Sequence, residues 1–162
     1  MIENNNGMTF SIVEIDEQDL LLKRIMRDDN NDIPTLTICG SMRNAQLMEK
    51  YQAIYTLRKN VVLAPVNYGC IKQEAETIEN ADELNKDILS KIHKCKISRS
   101  DGIIVVVTED MYFGEDTIKE IGFAHSIGVK VLFTHIPHKD RDKYYFNNDK
   151  TYPLYILKEE YL

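Results

Sequence analysis

The chain has 162 residues, 43% hydrophobic and 28% charged, which suits one domain with its own core and excludes a disordered chain. Its net charge of -6 argues against a nucleic-acid or anionic-membrane surface, while leaving room for a basic pocket that holds one phosphate. No apolar run approaches the roughly 20 residues that span a bilayer, and "MIENNNGMTF" lacks the basic and apolar regions of a signal peptide, so a cytoplasmic protein is expected.

In chain order, residues 1–32 read as an appendage: a strand, "TFSIVEI", a helix, "DEQDLLLKRIMRD", and a polar end, "DDNND". The main domain, residues 33–162, opens with "IPTLTICGSMRN", where Leu36 to Cys39 is a compact apolar strand closed by Gly40. A helix from Asn44 to Lys59 follows, with Met48, Tyr51 and Tyr55 at helical spacing. "VVLAPV" is the second strand, ending at Pro65. The polar connection from Asn67 to Ala81 is too long for an ordinary strand-to-helix turn and is expected to cover a substrate. A second helix, from about Asp82 to Ser98, is expected to bury a stripe of Leu84, Ile88, Ile92 and Cys95. "GIIVVVT", apolar on both faces, is the third strand and has the pattern of a central parallel one. The helix from Glu115 to Ile127 ends at Gly128, a natural helix stop. "VKVLFT" is the fourth strand, and "YPLYIL" forms a last strand or packs on a partner.

This alternation predicts an α/β fold: a flavodoxin- or Rossmann-like open, mostly parallel sheet with helices on both faces. In such sheets ligands bind beyond the carboxyl ends of the strands. "GSMR" after the first strand, the long connection after the second and "TEDMYFGED" after the third all fall at that edge. Asp101 falls at the opposite edge and reads as a structural turn residue.

The candidate binding residues are therefore Gly40, Ser41, Met42 and Arg43 from the first turn, and Tyr112, Gly114, Glu115, Asp116 and Thr117 from the third. Gly40 permits close backbone approach. Ser41 offers a hydroxyl and Arg43 a planar fork for phosphate or carboxylate, at a helix start that suits an anion or a ribose. The turn is neither a P-loop nor G-x-G-x-x-G. Glu115 and Asp116 in a first helical turn are ordinary. Glu120 is not, because it heads an apolar stripe of Phe123, Ala124 and Ile127. A carboxylate there could attack a sugar C1 carbon as the bond to a leaving base breaks, with the helix start helping to keep it ionised. His93, with Leu89 and Ile97 above and below it, could protonate the leaving base or serve as a satisfied structural histidine.

The three cysteines, Cys39, Cys70 and Cys95, have no framework spacing and read as reduced thiols, with Cys39 and Cys95 as small core residues. His93, His125, His135 and His138 have no spacing that makes a metal set, so neither a metal nor a cofactor is expected.

Taken together, "TICGSMR", "KISRSDGIIVVV" and "GEDTIKEIGFAHSIGVKV" resemble the nucleoside 2-deoxyribosyltransferase family, including its deoxynucleoside-monophosphate N-glycosidase branch. The resemblance covers about Thr35 to Thr134. It implies a Gly-Ser-x-Arg turn at the ligand and a catalytic glutamate before an Ile/Leu-Gly-x-Ala run, the place of Glu120. The better-known transferases carry an aspartate on the second helix where this chain has His93. "GEDTIKE" resembles a version found in an uncharacterised branch. The implied ligand is a nucleoside or nucleoside 5′-monophosphate. The implied chemistry is cleavage of the N-glycosidic bond through a glycosyl-Glu120 intermediate, resolved by water or a second base. The resemblance also implies a homo-oligomer in which a neighbouring subunit often completes the site. A nucleotide-binding sensor without chemistry is the alternative, favoured by His93 in place of an acid. A third reading is an interaction protein that works through residues 1–32.

Overall fold

A computed structural model describes residues 2–3, 9–13, 32–66, 81–107, 114–134 and 152–156. The expected helix at 16–28, Cys70, most of the long connection, Tyr112, His135 and His138 lie outside these. In chain order the elements are β1 (Ile2–Glu3), β2 (Thr9–Val13), β3 (Thr35–Gly40), α1 (Ala45–Leu57), β4 (Val61–Leu63), α2 (Ala81–Ser98), β5 (Gly102–Val106), α3 (Glu115–Ser126), β6 (Lys130–Phe133) and β7 (Tyr152–Ile156). The strands form one sheet in the order β1-β2-β7-β6-β5-β3-β4. From β3 to β7 every pairing is parallel. Counted from β3 as the first strand, the order is 2-1-3-4-5, that of a flavodoxin-like doubly wound sheet. The α/β architecture expected from the sequence is therefore the one observed, with "YPLYIL" supplying the last strand.

Alternation along the strands sorts the core into two layers. Leu36 and Ile38 of β3, Ile104 and Val106 of β5 and Leu132 of β6 pack with Met48, Tyr51 and Tyr55 of α1 on one face. Cys39, Ile103, Val105, Val131 and Phe133 pack with Ile97 of α2 and Ile118, Ile121 and Ala124 of α3 on the other. β5 is buried along its whole length, which explains its unbroken apolar run. Residues 2–3 and 9–13 join the same sheet, since β2 pairs in parallel with β7 and β1 adds an antiparallel edge.

Local chemistry fixes the ends of the elements. At Gly40 a Cβ would sit 3.0 Å from Met48 Sδ and 3.2 Å from the Val106 carbonyl oxygen, so glycine lets α1 close onto the sheet. α1 stops at Leu57, and Lys59 just beyond it takes the left-handed conformation (φ 61°). Behind it the buried Asn60 amide donates to the Tyr55 and Arg58 carbonyls at 3.0 and 3.2 Å. Gly128, at φ 76°, ends α3 as expected. Asp101 is a structural turn residue at the edge away from the ligand side. Its carboxylate accepts from the Thr35 N–H at 2.8 Å, and its own N–H donates to the Thr35 carbonyl at 2.8 Å.

Two stripes differ from expectation. On α2, Ile88 and Ile92 are each 44% exposed and Cys95 is exposed, while His93 and Ile97 are buried. The inward face is one residue out of phase with the expected one, because a buried histidine replaces an aliphatic residue in the true stripe. On α3, Ala124 is buried but Ile127 is exposed, since the helix has already ended there. Among the described residues no helix is long and apolar enough to cross a membrane.

Candidate functional site

The chain leaves β3 toward β4 and leaves β5 toward β6, so a crevice opens beyond the carboxyl ends of the two adjacent strands. Thr134, just after β6, ties it to the end of β5: its N–H donates to the Val105 carbonyl at 3.1 Å, and its hydroxyl accepts from the Val107 N–H at 2.9 Å. A cleft of about 640 Å³ fills the crevice, within the usual size of a small-molecule site.

The candidate residues within the described segments all line this cleft. Gly40, Ser41, Met42 and Arg43 form one wall, Gly114, Glu115, Asp116 and Thr117 the opposite one, and His93 and Glu120 the floor. The first wall is a single tight turn in which Ser41 accepts from the Arg43 N–H at 3.4 Å and its carbonyl accepts from the Asn44 N–H at 2.8 Å. Pro65 and Val66, beyond β4, complete the side where the long connection departs. Arg43, Lys86, Lys94, Lys96 and Lys119 also line the cleft. Five of the chain's 20 lysines and arginines thus line the crevice, beside Glu115, Asp116 and Glu120. Lys96 is tethered by donating to the Ala64 carbonyl at 2.6 Å.

The floor brings together three side chains from three elements. Cys39, the last fully buried residue of β3, has its Sγ 3.5 Å from His93 Nε2 on α2. His93 Nε2 lies 3.6 Å from Glu120 Oε1 on α3. The three potential ligand atoms are all within 4.8 Å of one another. Sequence reasoning placed His93 and Glu120 here but treated Cys39 as a core residue only. It is both buried and part of the site. The signal was its place one residue before Gly40, at the ligand end of β3.

Burial governs the electrostatics. Burial pushes the Glu120 carboxyl up to about 8, and the Asp116 charge adds to this, while Cys39 and Lys94 pull it down in part. The helix start was expected to keep Glu120 ionised. Glu120 is the sixth residue of α3, beyond the first turn where the helix dipole acts, so desolvation wins. Burial and then Lys96 push His93 down to about 4, so it does not titrate near neutrality as expected. Burial raises the Cys39 thiol well above its ordinary value, and neighbouring Glu120 adds to that. Around neutral pH the floor holds a thiol, a neutral imidazole and a carboxylic acid. Among the described residues His93 Nδ1 has no hydrogen-bond partner.

Comparison with known proteins places the chain in no family: no family model matches it, and neither does any curated protein.

Proposed function

We propose that the cleft cleaves or transfers the N-glycosidic bond of a nucleoside or nucleoside 5′-monophosphate, with Glu120 as nucleophile. One observation carries this reading. A carboxyl group only 18% exposed, with an imidazole 3.6 Å away, sits at the bottom of a cleft whose walls carry Arg43 and four lysines. The resemblance to the nucleoside 2-deoxyribosyltransferases in "TICGSMR" and "GEDTIKEIGFAHS" points the same way.

The reaction starts from the neutral acid. As Glu120 bonds to the sugar C1 carbon and the bond to the base breaks, the carboxyl proton must leave. Burial holds the imidazole at about 4 and the carboxyl at about 8, so His93 does not keep that proton but relays it from Glu120 to the base as the base departs. Water then cleaves the glycosyl ester and restores the carboxyl proton, or a second base takes the sugar. Arg43 and Ser41 hold the phosphate or the sugar hydroxyls, Arg43 through a charge-assisted contact. The family resemblance further implies a homo-oligomer.

The metal-free protein, mixed with pooled nucleosides and nucleotides, should release or exchange bases detectable by mass spectrometry. Binding without turnover across the pool would instead support a nucleotide sensor. The neutral resting state of Glu120 is the observation that favours that second reading.

A further inference from the structure

We propose that Cys39, His93 and Glu120 form a transition-metal site of the kind that takes zinc, with an open coordination position facing the cleft. The inference is independent of glycosyl transfer and needs no substrate.

Geometry carries it. A tetrahedral zinc with bonds of roughly 2.3 Å to sulfur and 2.0 to 2.1 Å to nitrogen sets those two ligand atoms about 3.5 Å apart. Cys39 Sγ and His93 Nε2 are 3.5 Å apart. A nitrogen and an oxygen on the same ion lie roughly 3.3 Å apart, and His93 Nε2 and Glu120 Oε1 are 3.6 Å apart. All three ligand atoms lie within 4.8 Å of one another, so movement of the Glu120 carboxylate toward the sulfur closes the set. The three ligands come from the end of β3, the middle of α2 and the second turn of α3, so the sheet and two helices hold them in place.

The donor types select the metal. A thiolate, an imidazole and a carboxylate suit a borderline-soft ion such as zinc, while magnesium and calcium prefer oxygen alone. Three protein ligands with a fourth position open is the arrangement of a reactive rather than a purely structural zinc. Ligation through Nε2 puts the ring proton on Nδ1, which has no acceptor among the described residues. Loading releases the Cys39 thiol proton and the Glu120 carboxyl proton, and the two negative charges left behind offset the dication. A Glu120 that holds a metal cannot attack a sugar, so the metal and the glycosyl ester exclude each other.

The test is titration of reduced, chelator-treated protein with cobalt(II), followed by displacement with zinc. One equivalent of cobalt should bind, with visible bands of tetrahedral geometry and a near-ultraviolet thiolate charge-transfer band, and zinc should abolish both. Cys39→Ser should remove the charge-transfer band. Glu120→Gln, which keeps the side-chain shape, and His93→Gln should each weaken binding on the order of 10-fold or more, as loss of a ligand does. The double variant Cys70→Ser/Cys95→Ser should bind as the parent does. Failure of the parent to bind cobalt or zinc overturns the proposal. So does a thiolate band that survives Cys39→Ser or vanishes with Cys70→Ser/Cys95→Ser. Should Cys39→Ser fail to fold, unweakened binding in both Glu120→Gln and His93→Gln overturns it equally.

Discussion

Glu120 and His93 face each other with their affinities for a proton shifted in opposite directions, and this has consequences for stability as well as chemistry. Glu120 is raised from 4.5 to about 8, so between those values the folded protein keeps a proton that the unfolded chain has lost. Its contribution falls as pH rises through that window. His93 and His125 are lowered from 6.5 to about 4, so the unfolded chain takes up their protons first and stability rises with pH across that range. From about 4.5 to 6.5 two histidines oppose one glutamate, which leaves a net rise of one proton's worth. Above 6.5 Glu120 acts alone among the described residues and stability falls toward 8. Each proton is worth about 1.4 kcal/mol per pH unit. Metal-free protein unfolded in urea should therefore be most stable near pH 6.5, and Glu120→Gln should remove the decline on the alkaline side. A flat profile above the maximum in the parent would show that Glu120 ionises freely. Glutamine keeps the shape but cannot form a glycosyl ester. The same variant should still bind nucleotide and lose turnover on the order of 10³-fold or more, measured in a single-turnover assay. Near-normal turnover would remove Glu120 as the nucleophile.

At the scale of the element, α2 decides how the site is built. Its inward face runs through Leu89, His93 and Ile97, and its outward face through Ile88, Ile92 and Cys95. Ile97 is fully buried in the layer with Cys39 of β3 and Ile103 and Val105 of β5, so Ile97→Ala should cost about 2–5 kcal/mol in denaturant unfolding, the range for deleting a buried aliphatic side chain. Ile88→Ala should cost well under half of that. Equal losses would mean that the helix is rotated toward the face expected from periodicity. This register marks the boundary of what was legible in the sequence. The strands and helices were legible because apolar runs, Gly40, Gly128 and Pro65 punctuate the chain locally. The ligand edge followed from topology, which put Gly40–Arg43 and the start of the Glu120 helix on one side of the sheet, whereas His93 was a candidate through its chemistry alone. The phase of α2 was not legible, because two faces of one helix both carried apolar residues and the buried one contained a histidine. Nor was the protonation of Glu120, since desolvation comes from residues distant in sequence. The grouping of Cys39 with His93 and Glu120 needs three elements to converge, and no spacing along the chain encodes that.

At the scale of the whole molecule, the sheet extends past the cleft-bearing strands through β7 to β2. β7 is paired with β6 at Leu132↔Tyr155 and Phe133↔Ile156. Its ladder with β2 is longer, from Phe10↔Tyr152 to Val13↔Tyr155. The N-terminal strand therefore does more to hold β7 in place than β6 does, and it covers an edge that would otherwise offer free backbone groups to another chain. The cleft lies beyond β3 and β5, with β6 standing between β5 and β7. Removing residues 1–31 should leave the floor of Cys39, His93 and Glu120 intact and expose the edge of β7. The shortened protein should bind one equivalent of cobalt as the full chain does, melt at a lower temperature, and associate with rising concentration in sedimentation experiments. Unchanged melting and sedimentation would show that β2 adds nothing to the sheet in solution. Loss of cobalt binding by a protein that still melts cooperatively would show that the N-terminal segment supports the cleft as well as the edge.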